Sequence, residues 1–213
     1  MLKLKSLKGI LALLGLGTII VPMALFLGGG TPVSPVGPTP AIAKDAPQSA
    51  QAAMYNKDGQ LLRPADHHEW IFVGAPVTPN DMNDGKAAFP EFHNVYIDPA
   101  SFASYKKSGK FPEGTVVLKE LVSVGSKEMP SGKGYFQGDF VSLEAMVKDT
   151  KRFQEEPGGW AFFRFGEAPN YTPAGARMKT ADCNQCHAAA TEDYMFTATY
   201  PVLRAAKAKL TAK

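Results

Sequence analysis

The sequence predicts an α+β fold: an antiparallel sheet of about five strands with a few helices, one of which lies near the C-terminus. Five segments rich in β-branched and aromatic residues follow one another between Glu69 and Phe165. Glycine or other turn residues bound most of these segments, which is typical of strands. The connections are mostly too short for the crossovers that parallel strands require, so neighbouring strands are expected to run antiparallel.

The first half of the domain is predicted as strand, loop, strand and helix. Glu69–Gly74 and Phe92–Ile97 have strand composition, and the turn-rich segment Ala75–Phe89 separates them. A helix is expected over residues 98–108, because it would begin with an aspartate N-cap and a first-turn proline and end at a glycine.

The segment Thr115–Val124 gives the clearest strand signal, since a glycine stands on either side of it. Alternation places Lys119 on one face with Val117 and Leu121, and Glu120 on the other face. Both faces are largely apolar, so the strand is expected to be central and Lys119 to point inward. Desolvation there would favour the neutral, nucleophilic amine. A solvated surface lysine is the competing interpretation.

A long strand, Tyr135–Met146, and a fifth strand, Trp160–Phe165, complete the predicted sheet. Alternation predicts that Phe136, Phe140 and Glu144 share one face of the long strand. Apolar neighbours would make Glu144 a good acceptor of protons from a substrate. The alternative is an edge carboxylate paired with a neighbouring lysine.

The motif that carries chemistry stands near the end of the chain. Both cysteines of the sequence, Cys183 and Cys186, precede His187 in a C-x-x-C-H run. This is the attachment signature of c-type haem, in which two thiols bond to the haem vinyl groups and the histidine binds the iron. Thr180 is a fair N-cap, so the motif is expected on a helix. A last helix is expected over residues 200–209.

Other uses of paired cysteines fit the sequence less well. A structural zinc site needs four Cys or His ligands, and the other candidates, His67 and His68, are adjacent rather than helically spaced. A thioredoxin-like pair would follow an early strand. Downstream of the motif the only methionine is Met195, so no second axial ligand is obvious, and a five-coordinate iron with an open site is expected. A hidden sixth ligand would instead indicate an electron carrier.

The N-terminal segment, residues 1–27, has lysines followed by an apolar run over residues 10–27. This pattern predicts export to the periplasm, with the segment acting as a signal peptide or as an anchor in the inner membrane. Residues 28–53 are rich in proline, glycine and alanine and are predicted as a linker, and residues 54–213 as the folded domain.

Charge argues against nucleic acid as a partner. Three of the 23 Lys and Arg residues lie before residue 10, and the remaining 20 balance the 20 Asp and Glu residues of the chain. Binding to phosphates requires a basic excess, so no nucleic-acid interaction is expected.

Longer segments, which together extend over about residues 55–207, resemble the cytochrome P460 family, c-type haem proteins of ammonia- and methane-oxidising bacteria. The resemblance implies hydroxylamine oxidation at a five-coordinate haem on an antiparallel sheet, usually in a homodimer. The product would be nitrous oxide or nitrite, and the electrons would pass to a soluble acceptor such as another cytochrome. The segments that carry the resemblance are Leu62–Pro64, Val77–Asn80, Asp84–Ala87, Val95–Pro99, Gly114–Gly125, Gly134–Phe136, Leu143–Glu144, Val147–Asp149, Lys151–Phe153 and Tyr200–Lys207.

The resemblance also implies residue roles. By motif position, Lys119 matches a family lysine joined covalently to the porphyrin edge, and Glu144 matches the distal carboxylate that accepts protons. His93 stands where some members have arginine, and it could donate hydrogen bonds or shuttle protons. Phe89 and Phe92 are further candidates for the pocket wall. The sister cytochromes c′-beta lack the lysine link and bind nitric oxide without oxidising hydroxylamine, which leaves a gas-binding protein as the alternative.

Overall fold

The computed structural model describes residues 53–211 of the 213-residue chain. The predicted export or anchor segment, residues 1–27, and residues 28–52 of the predicted linker lie outside the described residues. Within residues 53–211 no helix is long and apolar enough to cross a membrane.

The described residues form an α+β fold, as the sequence predicts. The strands, in chain order, are β1 (Leu61–Leu62), β2 (Ile71–Gly74), β3 (Phe92–Ile97), β4 (Val116–Val124), β5 (Glu128–Met129), β6 (Gly132–Lys133), β7 (Gln137–Lys148), β8 (Trp160–Glu167) and β9 (Ala174–Arg177). The helices are α1 (Pro99–Ser108), α2 (Thr180–His187) and α3 (Pro201–Thr211). Short 3₁₀ turns lie at His67–Glu69, Asn80–Met82, Pro157–Gly159 and Thr197–Thr199.

Seven of the strands form one sheet in the order β1-β9-β8-β7-β4-β3-β2, and every pairing is antiparallel. The five predicted strands correspond to β2, β3, β4, β7 and β8, which are consecutive in this sheet and end with β2 at one edge. The sequence analysis missed β1 and β9, because they are only two and four residues long and lie among proline and glycine. The two remaining strands, β5 and β6, form a separate small hairpin.

Asp98 fixes the start of α1, as predicted. One carboxylate oxygen accepts a hydrogen bond from the Ser101 N–H at 2.8 Å, and the other accepts from the Val116 N–H at 3.0 Å. The same side chain therefore caps α1 and joins it to β4. Gly109 ends the helix with φ 70°, a left-handed conformation that glycine adopts at little cost.

The sheet separates two hydrophobic clusters. The helix face, defined here as the face covered by α1 and α3, carries Val117 and Met146 from the sheet and Leu203 from α3. The opposite face carries a second cluster that includes Leu118 and Leu143. Because consecutive residues of a strand point to opposite faces, Lys119 belongs to the helix face and Glu120 to the opposite face.

The predicted shared face of Phe140 and Glu144 is wrong. Val122 pairs with Phe140, but the preceding Leu121 pairs with Ser142, so β7 contains one extra residue at a β-bulge. The bulge reverses the alternation, and Phe140 points to the opposite face from Glu144. Its ring is half exposed and stacks on His68 with a centroid separation of 6.0 Å.

Candidate functional site

Lys119 and Glu144 form an ion pair on the helix face. They are direct neighbours across β4 and β7, and Lys119 Nζ lies 2.8 Å from Glu144 Oε2. The lysine side chain is 25% exposed and the glutamate side chain 11%, so both groups are largely withdrawn from water. Lys119 Nζ also lies 4.1 Å from the centroid of the Phe89 ring. The lysine points inward as predicted, and the carboxylate belongs to a central strand rather than an edge.

His93 lies on the same face, two residues from the Val95–Lys119 pair along β3. Its ring meets Phe89 edge-on at a centroid distance of 5.8 Å, and its Nε2 is buried without a hydrogen-bond partner. Burial, and then the positive charge of Lys119, lower the pKa of His93 from 6.5 to about 4. The imidazole is therefore neutral at pH 7.

The two cysteines lie on α2, three residues apart and hence on one side of the helix. Both thiols are free. Cys183 packs against the helix-face cluster, and burial raises the pKa of its thiol, whereas Cys186 is exposed. Thr180 is the first helical residue and not the N-cap as predicted, since Lys179 occupies that position.

The His187 ring is held in one orientation and one tautomer. Its Nδ1 lies 2.8 Å from the Tyr194 carbonyl oxygen, which can only accept, so Nδ1–H donates and Nε2 keeps its lone pair. Phe162 and Phe196 contact the ring at centroid distances of 5.0 and 4.9 Å. Burial lowers the pKa of His187, which keeps the imidazole available as a metal ligand.

The sequence analysis missed the turn that positions the Tyr194 carbonyl. Asp193 and Tyr194 have left-handed φ values of 52° and 61°, which are uncommon outside glycine. The Asp193 carboxylate accepts hydrogen bonds from Trp160 Nε1, at 3.2 Å, and from Lys148 Nζ. A Cβ on Gly158 would come within 2.8 Å of the Tyr194 ring. No motif signals this turn, because its partners come from distant strands.

The motif and the ion pair share one site. The charges of Lys119 and Glu144 both affect the pKa values of Cys183, His187 and His93, so each of these three groups lies within electrostatic range of the ion pair. The structure thereby brings together five of the sequence-predicted site residues.

The predicted aromatic walls are only partly found in this site. Phe89 contacts the Lys119 amine. Phe92 precedes His93 on β3 and pairs with Val122, so it points to the opposite face, as Phe140 does. Phe136 lies just before β7, beside Gly134. The rings that contact His187 are Phe162 and Phe196, which the sequence analysis did not propose.

The residues of the site fit a covalently held haem. Two free thiols lie one helical turn apart, and they precede an imidazole whose Nε2 is free to bind iron. On the facing sheet surface, His93 Nε2 and Ser142 Oγ are buried without partners. Buried polar atoms normally have partners, so a bound group at this face would complete their bonding.

Comparison with known proteins agrees with this geometry. The sequence model of the family described as Cytochrome P460 matches residues 64–197, which include β2 to β9, the Lys119–Glu144 pair and all three motif residues. This match confirms the family resemblance of the sequence. No curated protein sequence matched the chain.

Proposed function

The chain belongs to the cytochrome P460 family of haem oxidoreductases, and from this premise we propose that it oxidises hydroxylamine at a covalently bound haem c. The observation that carries the proposal is the Lys119–Glu144 ion pair, whose two charges act on the pKa values of Cys183 and His187 in the haem motif. A protein that only binds a gas or transfers electrons does not need a paired amine and carboxylate there.

Three residues of α2 would hold the haem. The Cys183 and Cys186 thiols would add across its vinyl groups, and His187 Nε2 would bind the iron from one side, oriented by the bond from Nδ1–H to Tyr194. When bound, the haem would supply an open coordination position for a small nitrogen substrate and a centre that takes its electrons.

Glu144 is placed to convert Lys119 into a nucleophile. At 2.8 Å the carboxylate can accept a proton from the lysine ammonium, and the neutral amine would then be available to bond to the porphyrin edge of a bound haem. An N–C bond would replace one N–H of the amine and one C–H of the porphyrin. Two protons and two electrons leave in this step, and an oxidant of the peroxide class would take the electrons.

After crosslinking, Glu144 is free to accept protons from the substrate. Conversion of two hydroxylamine molecules to nitrous oxide and water releases four protons and four electrons, and conversion of one hydroxylamine with water to nitrous acid releases the same numbers. A carboxylate withdrawn from water, 11% exposed, suits this repeated proton transfer. His93, neutral and with a free Nε2, can pass protons onward or hydrogen-bond the substrate.

We also propose where the protein works and with what partners. The apolar N-terminal run and the haem c motif both support export to the periplasm, with residues 10–27 as a signal or as a tether to the inner membrane. The electrons would pass to a soluble acceptor such as another cytochrome, and the family resemblance supports a homodimer.

The optical spectrum of the reduced haem protein tests the lysine link. The proposal expects an absorption band well to the red of ordinary haem c, because the nitrogen substituent perturbs the porphyrin. Lys119→Ala should abolish this band and lower hydroxylamine turnover by at least about tenfold, while the haem stays attached through Cys183 and Cys186. The exposed Lys133→Ala serves as the matched control and should keep both properties.

Three outcomes would contradict the proposal. Full hydroxylamine turnover in Lys119→Ala would remove the role assigned to the lysine. An ordinary high-spin spectrum, with nitric oxide binding but no turnover in the unaltered protein, would favour a gas-binding protein of the cytochrome c′-beta type. A low-spin spectrum would indicate a sixth ligand and an electron carrier.

A further inference from the structure

A second cluster of side chains, of the types that can bind a metal ion, lies on the opposite face of the sheet. Glu120 follows Lys119 on β4 and so points away from the haem motif, and only 1% of its side chain is exposed. His68 Nε2 lies 3.1 and 3.2 Å from its two carboxylate oxygens, and His67 Nε2 lies 3.5 Å from one of them. These ligand atoms all lie within 4.8 Å of one another.

Hydrogen bonds of a neutral His67 ring do not satisfy this cluster. Its Nδ1 faces the Pro64 carbonyl oxygen at 3.4 Å, which requires a proton on Nδ1. In the neutral ring Nε2 then carries a bare lone pair, yet it faces a carboxylate, which also offers only lone pairs. Nε2 is buried and has no hydrogen-bond partner, and the residue is 3% exposed. A cation between Nε2 and the carboxylate would satisfy both lone pairs.

The spacing of the ligand atoms suits a transition metal ion. Zinc bonds to His nitrogen and carboxylate oxygen are about 2.0–2.1 Å long, so neighbouring ligand atoms of a tetrahedral site lie about 3.3 Å apart. The three nitrogen-to-oxygen distances, 3.1, 3.2 and 3.5 Å, bracket this value. The bond from His67 Nδ1–H to a carbonyl is the outer-shell contact that metal-bound histidines usually make.

Aromatic side chains hold the two imidazole rings in place. Tyr96 meets His67 and His68 edge-on at centroid distances of 5.9 and 6.0 Å, and Phe140 stacks on His68. His68 has 55% of its side chain exposed, so one side of the cluster is open to solvent. An ion can enter there, and a fourth position remains for water or another small ligand.

We propose that His67, His68 and Glu120 form a binding site for a divalent transition metal ion such as Zn²⁺, separate from the haem site. The two-histidine, one-carboxylate set combines imidazole nitrogen with oxygen, which suits Zn²⁺ and its first-row neighbours better than Mg²⁺ or Ca²⁺. The site does not depend on the proposed hydroxylamine chemistry.

Calorimetric titration of the haem-loaded protein tests the site. After treatment with a chelator and buffer exchange, ZnCl₂ is expected to bind with one ion per chain, and MgCl₂ is expected to show no comparable binding. His68→Ala and Glu120→Gln should each weaken zinc binding by more than the roughly 10–100-fold that loss of an outer-shell partner costs. Thermal unfolding gives a second readout, because zinc should raise the melting temperature of the unaltered protein but not those of His68→Ala and Glu120→Gln.

Glu69→Gln is the matched control, since Glu69 is an exposed carboxylate beside the histidines and outside the cluster. It should bind zinc as the unaltered protein does. The haem spectrum of every variant checks that the fold is intact. Because His68 is largely exposed, His68→Ala is expected to fold and keeps the test valid if Glu120→Gln does not. Absence of one-to-one zinc binding, zinc binding unchanged in His68→Ala, or magnesium binding as tight as zinc would each overturn the proposal.

Discussion

At the scale of single residues, Glu144 has a different partner at each stage of the proposed chemistry. Before the crosslink forms, it is paired with the Lys119 ammonium at 2.8 Å. Once the lysine nitrogen is bound to the porphyrin, the carboxylate loses its cation and becomes available to the substrate. One buried carboxylate can therefore serve both as the base that activates the lysine and as the proton acceptor in turnover.

Glu144→Gln should separate proton transfer from haem attachment. Glutamine keeps the size of the side chain but accepts no proton, so hydroxylamine turnover is expected to fall by about 100-fold or more, while the two cysteines still attach haem. Steady-state kinetics and the pyridine haem spectrum measure the two effects. The exposed Glu167→Gln on β8 is the control, and turnover equal to that of the control would show that Glu144 is not the base.

His93 should make stability depend on pH in a defined window. Its pKa is about 4 in the folded protein, against the ordinary value of 6.5 that applies to the unfolded chain. Between these two pH values the unfolded chain therefore binds a proton that the folded protein does not. The contribution of the neutral His93 to the free energy of unfolding is complete above pH 6.5 and is lost as the pH falls towards 4. The loss is on the order of 2 kcal/mol once solvent screening is considered.

Urea unfolding at pH 7 and at pH 4.5 measures this effect. The free energy of unfolding of the unaltered protein should fall relative to that of His93→Gln, which cannot titrate. A difference between the two proteins that stays constant from pH 7 to 4.5 would show that His93 is not held neutral by burial.

At the scale of elements, two local irregularities of the backbone determine the positions of the chemical groups. The β-bulge in β7 turns Phe140 away from the helix face, yet it leaves Glu144 beside Lys119. The left-handed turn at Asp193 and Tyr194 aims one carbonyl at His187 Nδ1. In both places an irregular stretch of backbone sets the direction of a functional side chain.

Asp98 is the residue through which α1 depends on β4. Asp98→Ala should lower the free energy of unfolding by about 2–4 kcal/mol, because it removes a helix cap and leaves the buried Val116 N–H without its acceptor. The midpoint of urea unfolding measures this loss. Asp98→Asn keeps one acceptor oxygen and should lose less, and equal midpoints for Asp98→Ala and the unaltered protein would contradict the assigned role.

At the scale of the whole molecule, one sheet joins two cores that should unfold together. Trp160 belongs to the helix-face cluster and Trp70 to the cluster on the opposite face, and the chain has two tryptophans. The strands β4, β7 and β8 contribute side chains to both clusters, so loss of the sheet removes both cores at once.

Trp70→Phe and Trp160→Phe leave one fluorescent reporter on either face of the sheet. In each variant the fluorescence midpoint in urea should equal the midpoint measured by far-UV circular dichroism. The comparison is made within each variant, because the substitution itself alters stability. A fluorescence transition that precedes the circular dichroism transition in one variant would show that this face unfolds separately.

The sequence by itself determined the parts of this protein that depend on local signals. Asp98, Gly109 and the alternation in β4 predicted α1 and the central strand, because caps, turns and a two-residue period are read from neighbouring positions. The C-x-x-C-H spacing likewise predicts a haem attachment site without any knowledge of the fold, since its three residues lie on one short helix. The edge strands β1 and β9 were too short to give such a signal.

Only the tertiary structure decided which distant side chains meet. The extra residue in β7 could not be seen in the sequence, so Phe140 was assigned to the wrong face. His67 and His68 looked unsuitable for a metal until β4 supplied Glu120 as their third member. Pairing across strands and the bonds that orient His187 depend on register and on left-handed turns, which are set by packing of the whole domain rather than by the residues nearby.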